Sequence, residues 1–408
     1  MLKCNQNSGI KIFSFLILFI TITSCDDLFS VTNPGPIQEE SLDSPEAVPG
    51  LVTGMSADFS FAFRQATWWG SVWSDDLTHS GTLGAPTVFS GGVLDPDDVD
   101  PWWGNAQRAR WVAENGLERM QDVMGDEFDD SPYSARAYLL GAYSNRMLGE
   151  NSCEAVFDGG EAQPYTEFFN RAEQHFLDAY SIASNIDDEE MQNAALAGRA
   201  SVLAALGEWE QAAGLAEEVP VDFVYEAIYS QNTGRENNNW PQYTIDRGEY
   251  SVYDTHYEEL DDPRTPQEPV LDSDGEIRPA ANGATPWIRQ MKHDSEASNI
   301  AVSKGTEMLL IRAEYQLRVH EDADEAIALI NEVRDFHGID EDRSADNLDE
   351  AWEVLQEERG IELWLEGRRF WDLRRWNEES GPAHHNFLDD RDNCVPIGRG
   401  ELDSNPNL

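Results

Sequence analysis

Apolar residues recur at helical spacing along most of the chain. Leu51, Met55, Phe59 and Phe63 fall four apart, which predicts a helix over Ser44 to Ala66. From Pro132 the pattern is helical and repetitive. Ala200, Leu203, Gly207, Trp209 and Ala212 carry the small/large order of a tetratricopeptide helix pair. There Gly207 ends the first helix, Trp209 plugs the turn and Ala212 lets the second helix approach closely. Ala142 and Gly149 match the first half of another pair, and Ala172, Phe176 and Ala179 match its second half, after an insertion from Glu150 to Pro164. Ala313 and Ala326 mark a third. One such pair cannot bury its own apolar face, so pairs stack into superhelical scaffolds. The expected fold class is mainly α, a tetratricopeptide-like helix-pair scaffold.

Two stretches, 67–104 and 231–303, lose this period. The first holds Trp68-Trp69-Gly70-Ser71-Val72-Trp73-Ser74-Asp75-Asp76 and a segment punctuated by Gly, Pro and Ser. Trp102, Trp103 and Trp111 then open a helix running to Met124 and are read as core. The second is rich in Pro, Gly, Asn and Asp and carries Trp240, Tyr243, Tyr250, Tyr253, Tyr257 and Trp287. Long irregular insertions in a compact domain tend to be functional. Indole faces stack on sugar rings, and carboxylates accept hydrogen bonds from hydroxyls. The candidate ligand contacts are therefore Trp69, Trp73, Asp75, Trp240, Tyr243 and Trp287. For Trp69, Trp73 and Asp75, inward packing is an equal alternative.

The amino terminus adds an address. Lys3 and Lys11 precede an apolar run from Ile12 to Ile22, too short to span a bilayer, followed by Thr23-Ser24-Cys25. Residues 1–24 are expected to be a lipoprotein signal peptide, with Cys25 the lipidated first residue of the mature chain. Asp26-Asp27 and the prolines up to Pro49 read as an acidic tether, 25–43, ahead of a single domain, 44–408. Of the other cysteines, Cys4 leaves with the leader. Cys153 and Cys394 are then either a disulfide, as export favours, or two unpaired thiols.

Composition removes several functions. There are 78 acidic residues against 28 basic ones, a formal charge of −50. Nucleic acid is excluded as a partner, since phosphate contacts need basic patches. A bare anionic substrate is disfavoured too, and the acids read as a solvated surface suited to salty surroundings. His384-His385 follow Gly381-Pro382 and read as an exposed turn. No HExxH, Cys-x-x-Cys, phosphate loop or GxSxG is present, so no metal, cofactor or nucleophile is assigned. Asp95 to Asp100 could offer oxygen ligands to calcium but reads as a solvated loop.

Against this acidic background, Glu358 to Trp376 holds Arg359, Arg368, Arg369, Arg374 and Arg375. Glu358, Glu362 and Glu366 recur every four residues, so one continuous helix would stack them on a face with Arg369 and Asp372 just beyond. Such a stripe is either a catalytic centre or an ion-pair brace, and the absence of a nucleophile or metal spacing favours the brace. The spacing Glu358-Arg359, Glu362-Leu363, Glu366-Gly367, Arg369, Asp372-Leu373 and Arg375-Trp376 resembles the carboxyl-terminal signature (357–408) of the SusD/RagB family of outer-membrane nutrient-binding lipoproteins. Asp262-Pro263-Arg264 resembles a short family landmark. Val395-Pro396-Ile397, Glu401 and Asn405-Pro406-Asn407-Leu408 are similar to its closing segment.

That resemblance implies a SusD-like α-superhelix whose irregular segments meet a glycan, with no catalytic residue and no cofactor. It also implies a surface-exposed site on the outer membrane, a lipid anchor and a SusC-like TonB-dependent transporter as partner. The chain is short for the family, which implies a reduced binding insertion. Oligosaccharide and peptide are both open as ligands. Two other functions are weighed against this one. A glycoside hydrolase would use two carboxylates, but among 78 acids some pair always looks suitable. A repeat scaffold binding another protein accounts for the repeats but not for the aromatic segments.

Overall fold

A computed structural model describes residues 42–408. The expected leader, Cys25 and the expected tether as far as Ser41 lie outside the described residues. The first helix, α1 (Val48–Trp73), has Pro49 in its first turn and runs 26 residues. It therefore passes through the tryptophan cluster that the sequence reading left irregular. Gly70 and Ser71 are weak helix formers, but burial of Ala66, Trp69 and Trp73 on one face outweighs their propensity. The helix stops at Ser74, whose N–H and hydroxyl both donate to the Gly70 carbonyl, at 2.9 and 2.7 Å.

A short α2 (Gly84–Ser90) leads to α3 (Pro96–Met124). Here the acidic string expected to be a loop is a helix start. Asp95 caps the backbone N–H of Asp97 at 2.9 Å, Pro96 takes the first turn, and Asp97 and Asp98 complement the helix dipole. Trp102 and Trp103 are buried as expected. Trp111 is not: it is 51% exposed, on the face opposite the core.

The scaffold follows as α4 (Pro132–Asn151), α5 (Thr166–Asn185), α6 (Glu189–Ala205) and α7 (Trp209–Glu218), then α8 (Gly305–Tyr315), α9 (Ala323–Phe336) and α10 (Leu348–Glu362). Each packs on the next, and α8 stacks on α7 across the irregular segment. The small positions act as the repeat pattern requires. A Cβ on Gly198 would lie 2.2 Å from the Phe176 ring, so α5 and α6 meet at a distance only glycine allows. Gly207 has φ +81°, ending α6 where a side chain would be strained.

The signature is two helices, not the single one its four-residue spacing predicted. After α10 the chain turns through Leu365 and Gly367, with φ +58° and +74°, before α11 (Arg369–Asn377). From there α11 crosses to pack on α1 and α4, and the Arg359–Asp372 pair ties it back to α10. The short α12 (Arg399–Ser404) lies on α3.

Among the described residues, eight short strands decorate the helices: β1 (Thr78–His79), β2 (Glu154–Ala155), β3 (Gln163–Pro164), β4 (Val224–Ala227), β5 (Tyr250–Ser251), β6 (Gln267–Pro269), β7 (Ile288–Gln290) and β8 (Ile300–Lys304). They form antiparallel ribbons β1–β5, β2–β3, β4–β8 and β6–β7. The first of these joins the two irregular segments, with Thr78 opposite Ser251 and His79 opposite Tyr250. Cys153 and Cys394 are bonded, their Cα atoms 4.9 Å apart. Beside them Ser152 and Val395 form a parallel bridge that fastens the carboxyl-terminal segment to the end of α4. Among the described residues no helix is long and apolar enough to cross a membrane.

Candidate functional site

The signature residues form a buried lattice of opposite charges. Glu358, with no exposed surface, is met by Arg334 at 2.6 Å and Arg264 at 2.9 Å. Glu362 takes Lys304 at 2.9 Å, His337 at 2.9 Å and the Thr306 hydroxyl at 2.6 Å. Glu366, in the turn, takes Lys292 at 2.8 Å and Lys304 at 2.9 Å. Arg359 reaches Asp372 at 2.7 Å, while Arg375 bridges Asp372 and Glu314 at 2.9 and 2.7 Å. The indole N–H of Trp376 donates to Glu314 at 3.2 Å. Although burial opposes ionisation, Lys304 and His337 hold Glu362 far below the usual carboxylate range, and Arg375 and Arg318 do the same for Glu314. Carboxylates clamped by cations on several sides are poor proton donors, so the chemistry of this lattice is structural.

One branch of the lattice reaches an open cleft. Arg369 grips Asp75 with two bonds, 2.6 and 2.7 Å. Burial opposes the charge on Asp75, yet the Arg369 guanidinium holds its carboxyl below the usual range. The neighbouring Asp76 has no guanidinium of its own. Burial, reinforced by the Asp75 charge, pushes it up to about 7, and the Tyr257 hydroxyl donates to it at 3.0 Å. Its folded pKa lies above the unfolded value, so its contribution is present in acid and is lost as pH rises through about 7. Asp76→Asn should therefore match the wild type near pH 4 and exceed it by on the order of 4 kcal/mol near pH 9, from one-and-a-third kcal/mol per pKa unit. Urea midpoints of both proteins across that range check this; a constant difference would mean Asp76 stays ionised throughout.

The cleft itself has a volume of about 350 Å³ and is lined by Asp75, His79, Asp254, His256, Phe387 and Arg391 among others. Three elements build it. The end of α1 and β1 supply Asp75 and His79, the loop after β5 supplies Asp254 and His256, and the segment after α11 supplies Phe387 and Arg391. Arg391 lies 4.9 Å from the Phe387 ring centre and donates to the Phe89 carbonyl at 3.1 Å, which fixes one wall. Burial keeps His79 below the ordinary imidazole value, as burial and Arg369 do more strongly for His385, lowered to about 4. At neutral pH both rings are uncharged, and of the two it is His79 that lines the cleft.

The aromatic residues singled out in the sequence are brought together, but as core. Trp69 and Trp73 are buried edge to face, 6.2 Å apart, against Phe89. Tyr243 stacks at 4.5 Å on Trp68, which in turn meets Trp69. Trp240 is buried against His293 at 5.9 Å. Trp287 is half-buried, its N–H donated to the Thr244 carbonyl at 2.9 Å, over Gly248 where a Cβ would lie 3.0 Å from the ring. Tyr243 and Tyr250 dock the second irregular segment onto Trp68 of α1, while Trp240 and Trp287 pack within that segment. Only Asp75 among the six lines the cleft. His79, Asp254, His256, Phe387 and Arg391 come from separate segments with no spacing to link them. Among the described residues, no group of three or more His, Cys, Asp or Glu side chains is placed to hold a metal.

This architecture is a SusD-like helical fold. A SusD-like carbohydrate binding protein from Bacteroides vulgatus superposes with a TM-score of 0.67 at 15% identity, over 90% of this chain and 97% of that one. A SusD superfamily protein from Bacteroides thetaiotaomicron gives 0.65 at 15%, over 89% and 98%. Surface glycan-binding protein A from Bacteroides uniformis gives 0.64 at 15%, again over 89% and 98%. The SusD family model matches residues 299–394, from just before β8 to the disulfide cysteine, including both signature helices. The SusD/RagB resemblance is thus borne out, by sequence across that segment and by fold across the described chain. No curated protein sequence matches.

Proposed function

We propose that this protein is a non-catalytic glycan-capture lipoprotein whose ligand enters the cleft between β1, the loop after β5 and the segment after α11. The observation that carries this is the cleft's make-up on a SusD-like fold. Carboxylate, imidazole, hydroxyl and guanidinium groups surround one aromatic edge, a set matched to a hydroxyl-rich ring. Similar structures described as carbohydrate- and glycan-binding support the ligand class. The non-catalytic reading is supported by the carboxyls at hand: Asp75 is clamped by Arg369, and Asp76, the one with a raised pKa, is buried. In the same reading Cys25 carries the lipid that holds the chain at the outer-membrane surface. A SusC-like TonB-dependent transporter receives the ligand. The single domain is 44–408.

Affinity gel electrophoresis against neutral polysaccharides tests the cleft. His256→Ala combined with Phe387→Ala should weaken binding by about tenfold or more, given one lost stacking edge and one lost hydrogen bond. Retention of full affinity by this pair would remove the cleft from the proposal. Long incubations analysed for new reducing ends test the absence of catalysis, and their appearance would make the chain a hydrolase.

A further inference from the structure

Trp111 departs from the otherwise inward rule for tryptophan in this chain. Ten of the 13 are buried and Trp209 and Trp287 are half-buried, whereas Trp111 is 51% exposed. Its neighbours on α3 explain what it faces. Asp100, Gly104, Gln107, Trp111, Glu114, Glu118 and Gln121 alternate by four and three residues, which places them in one stripe along the helix. At 1.5 Å per residue the stripe is roughly 30 Å long. Apart from Trp111 and one glycine, every member is polar.

Two hollows follow one another along this stripe. The first, about 460 Å³, lies between α3, the loop at Asp158 and Gly159, and α12. The second, about 350 Å³, lies between α3, Tyr138 of α4 and the face of α5 bearing Gln174 and Asp178. Cβ atoms on Gly104 or Gly159 would meet nothing within 4 Å, so the floor beside the indole is open backbone. The walls are already fixed. Arg110 joins Glu114 at 2.7 Å and Asp158 at 3.0 Å, Arg171 reaches Glu114 at 3.2 Å, and Gln107 donates to the Val156 carbonyl at 3.0 Å. A ligand would meet a surface that needs no ordering, which lowers the entropic cost of binding.

We infer that this face of α3 is a second glycan-binding surface, separate from the cleft, on which a linear neutral polysaccharide lies with one sugar ring stacked on Trp111. An exposed indole between flanking polar hollows matches the apolar face and hydroxyl rim of a pyranose. Charge selects the neutral class. The groove carries Asp100, Glu118, Asp158, Asp178 and Glu401 beside its arginines, on a chain of net charge −50, so a polyanionic polysaccharide is repelled. Two separate contacts on one long chain raise avidity without any new contact between them.

The test is affinity gel electrophoresis of the mature chain against a β-glucan, an α-glucan, a xylan, a galactomannan and polygalacturonate. Trp111→Ala removes an exposed side chain, so its urea midpoint should equal the wild type's. On the neutral polymer the wild type binds, it should weaken retardation by about tenfold, Trp111→Phe should retain most of it, and Trp111→Ala combined with the cleft pair should abolish it. Polygalacturonate should not retard any of them. Equal retardation of wild type and Trp111→Ala, alone and on the cleft-pair background, would overturn the inference and leave the face to a protein partner. Loss through Trp111 with an inert cleft pair would instead overturn the cleft and keep the groove. A wild type silent on the whole panel would end both.

Discussion

Glu358→Ala should cost about 3–5 kcal/mol in urea unfolding at neutral pH, because it strands buried cations without a counter-charge. Glu358 is fully enclosed, and its two oxygens are divided between Arg334 at 2.6 Å and Arg264 at 2.9 Å. Arg264 is itself almost wholly buried and holds Asp262 at 2.7 Å, so the landmark Asp262-Pro263-Arg264 is anchored to α10 through this carboxylate. Removing it leaves one guanidinium with a half-satisfied fork and another facing a cavity. The control is Glu379, whose bond to Arg318 is equally short at 2.7 Å but lies at the surface. Glu379→Ala should change stability by less than about 1 kcal/mol. Should the two variants unfold at the same urea concentration, the lattice would be ornament rather than brace.

Loss of the Cys153–Cys394 bond is the second large effect. The two cysteines are 241 residues apart, and closing a loop of that length constrains the unfolded chain by about 5 kcal/mol in the chain-entropy treatment. Cys394→Ser should lower stability by up to that amount while leaving the fold intact. Neighbouring contacts keep the segment in place: Val395 donates to the Asn151 carbonyl at 2.7 Å, Cys153 to Val395 at 2.9 Å, and Arg374 to Ser152 at 2.9 Å. Reductant should shift the wild-type urea midpoint towards that of the variant and leave the variant unmoved. An unmoved wild type would show that the bridge contributes nothing the neighbouring contacts do not already supply.

The helix pairs were legible because close packing needs small residues at fixed offsets, and Ala200, Gly207 and Ala212 leave that mark in the sequence. The brace was legible in its charges but not in its path. Four-residue spacing across Glu358, Glu362 and Glu366 suggested one helix, and Leu365 gives no sign that its backbone turns left-handed; only Gly367 does. The tryptophans of α1 misled for a related reason. Their chemistry fits a sugar platform, whereas the buried period of Phe59, Phe63, Ala66, Trp69 and Trp73 continues through them. Trp111 is the converse: counting from Asp100 by threes and fours would have put it among polar positions. Apart from Asp75 the cleft left no trace, because its residues meet only after α1, the second irregular segment and the tail have all been placed.

The crossing of α11 onto α1 and α4 has a consequence for how the molecule comes into being. A repeat stack can ordinarily grow from one end, each unit settling on the last. Here the helix that packs earliest in the chain is completed by one of the last to be made, through contacts such as Arg369 with Asp75, nearly the whole domain apart. Contacts of such long range slow folding, since the connecting loop must close before they form. A nascent chain lacking α11 therefore has no way to finish its core. It stays loose until its tail has been made, so the helix that sets the fold is among the last to arrive.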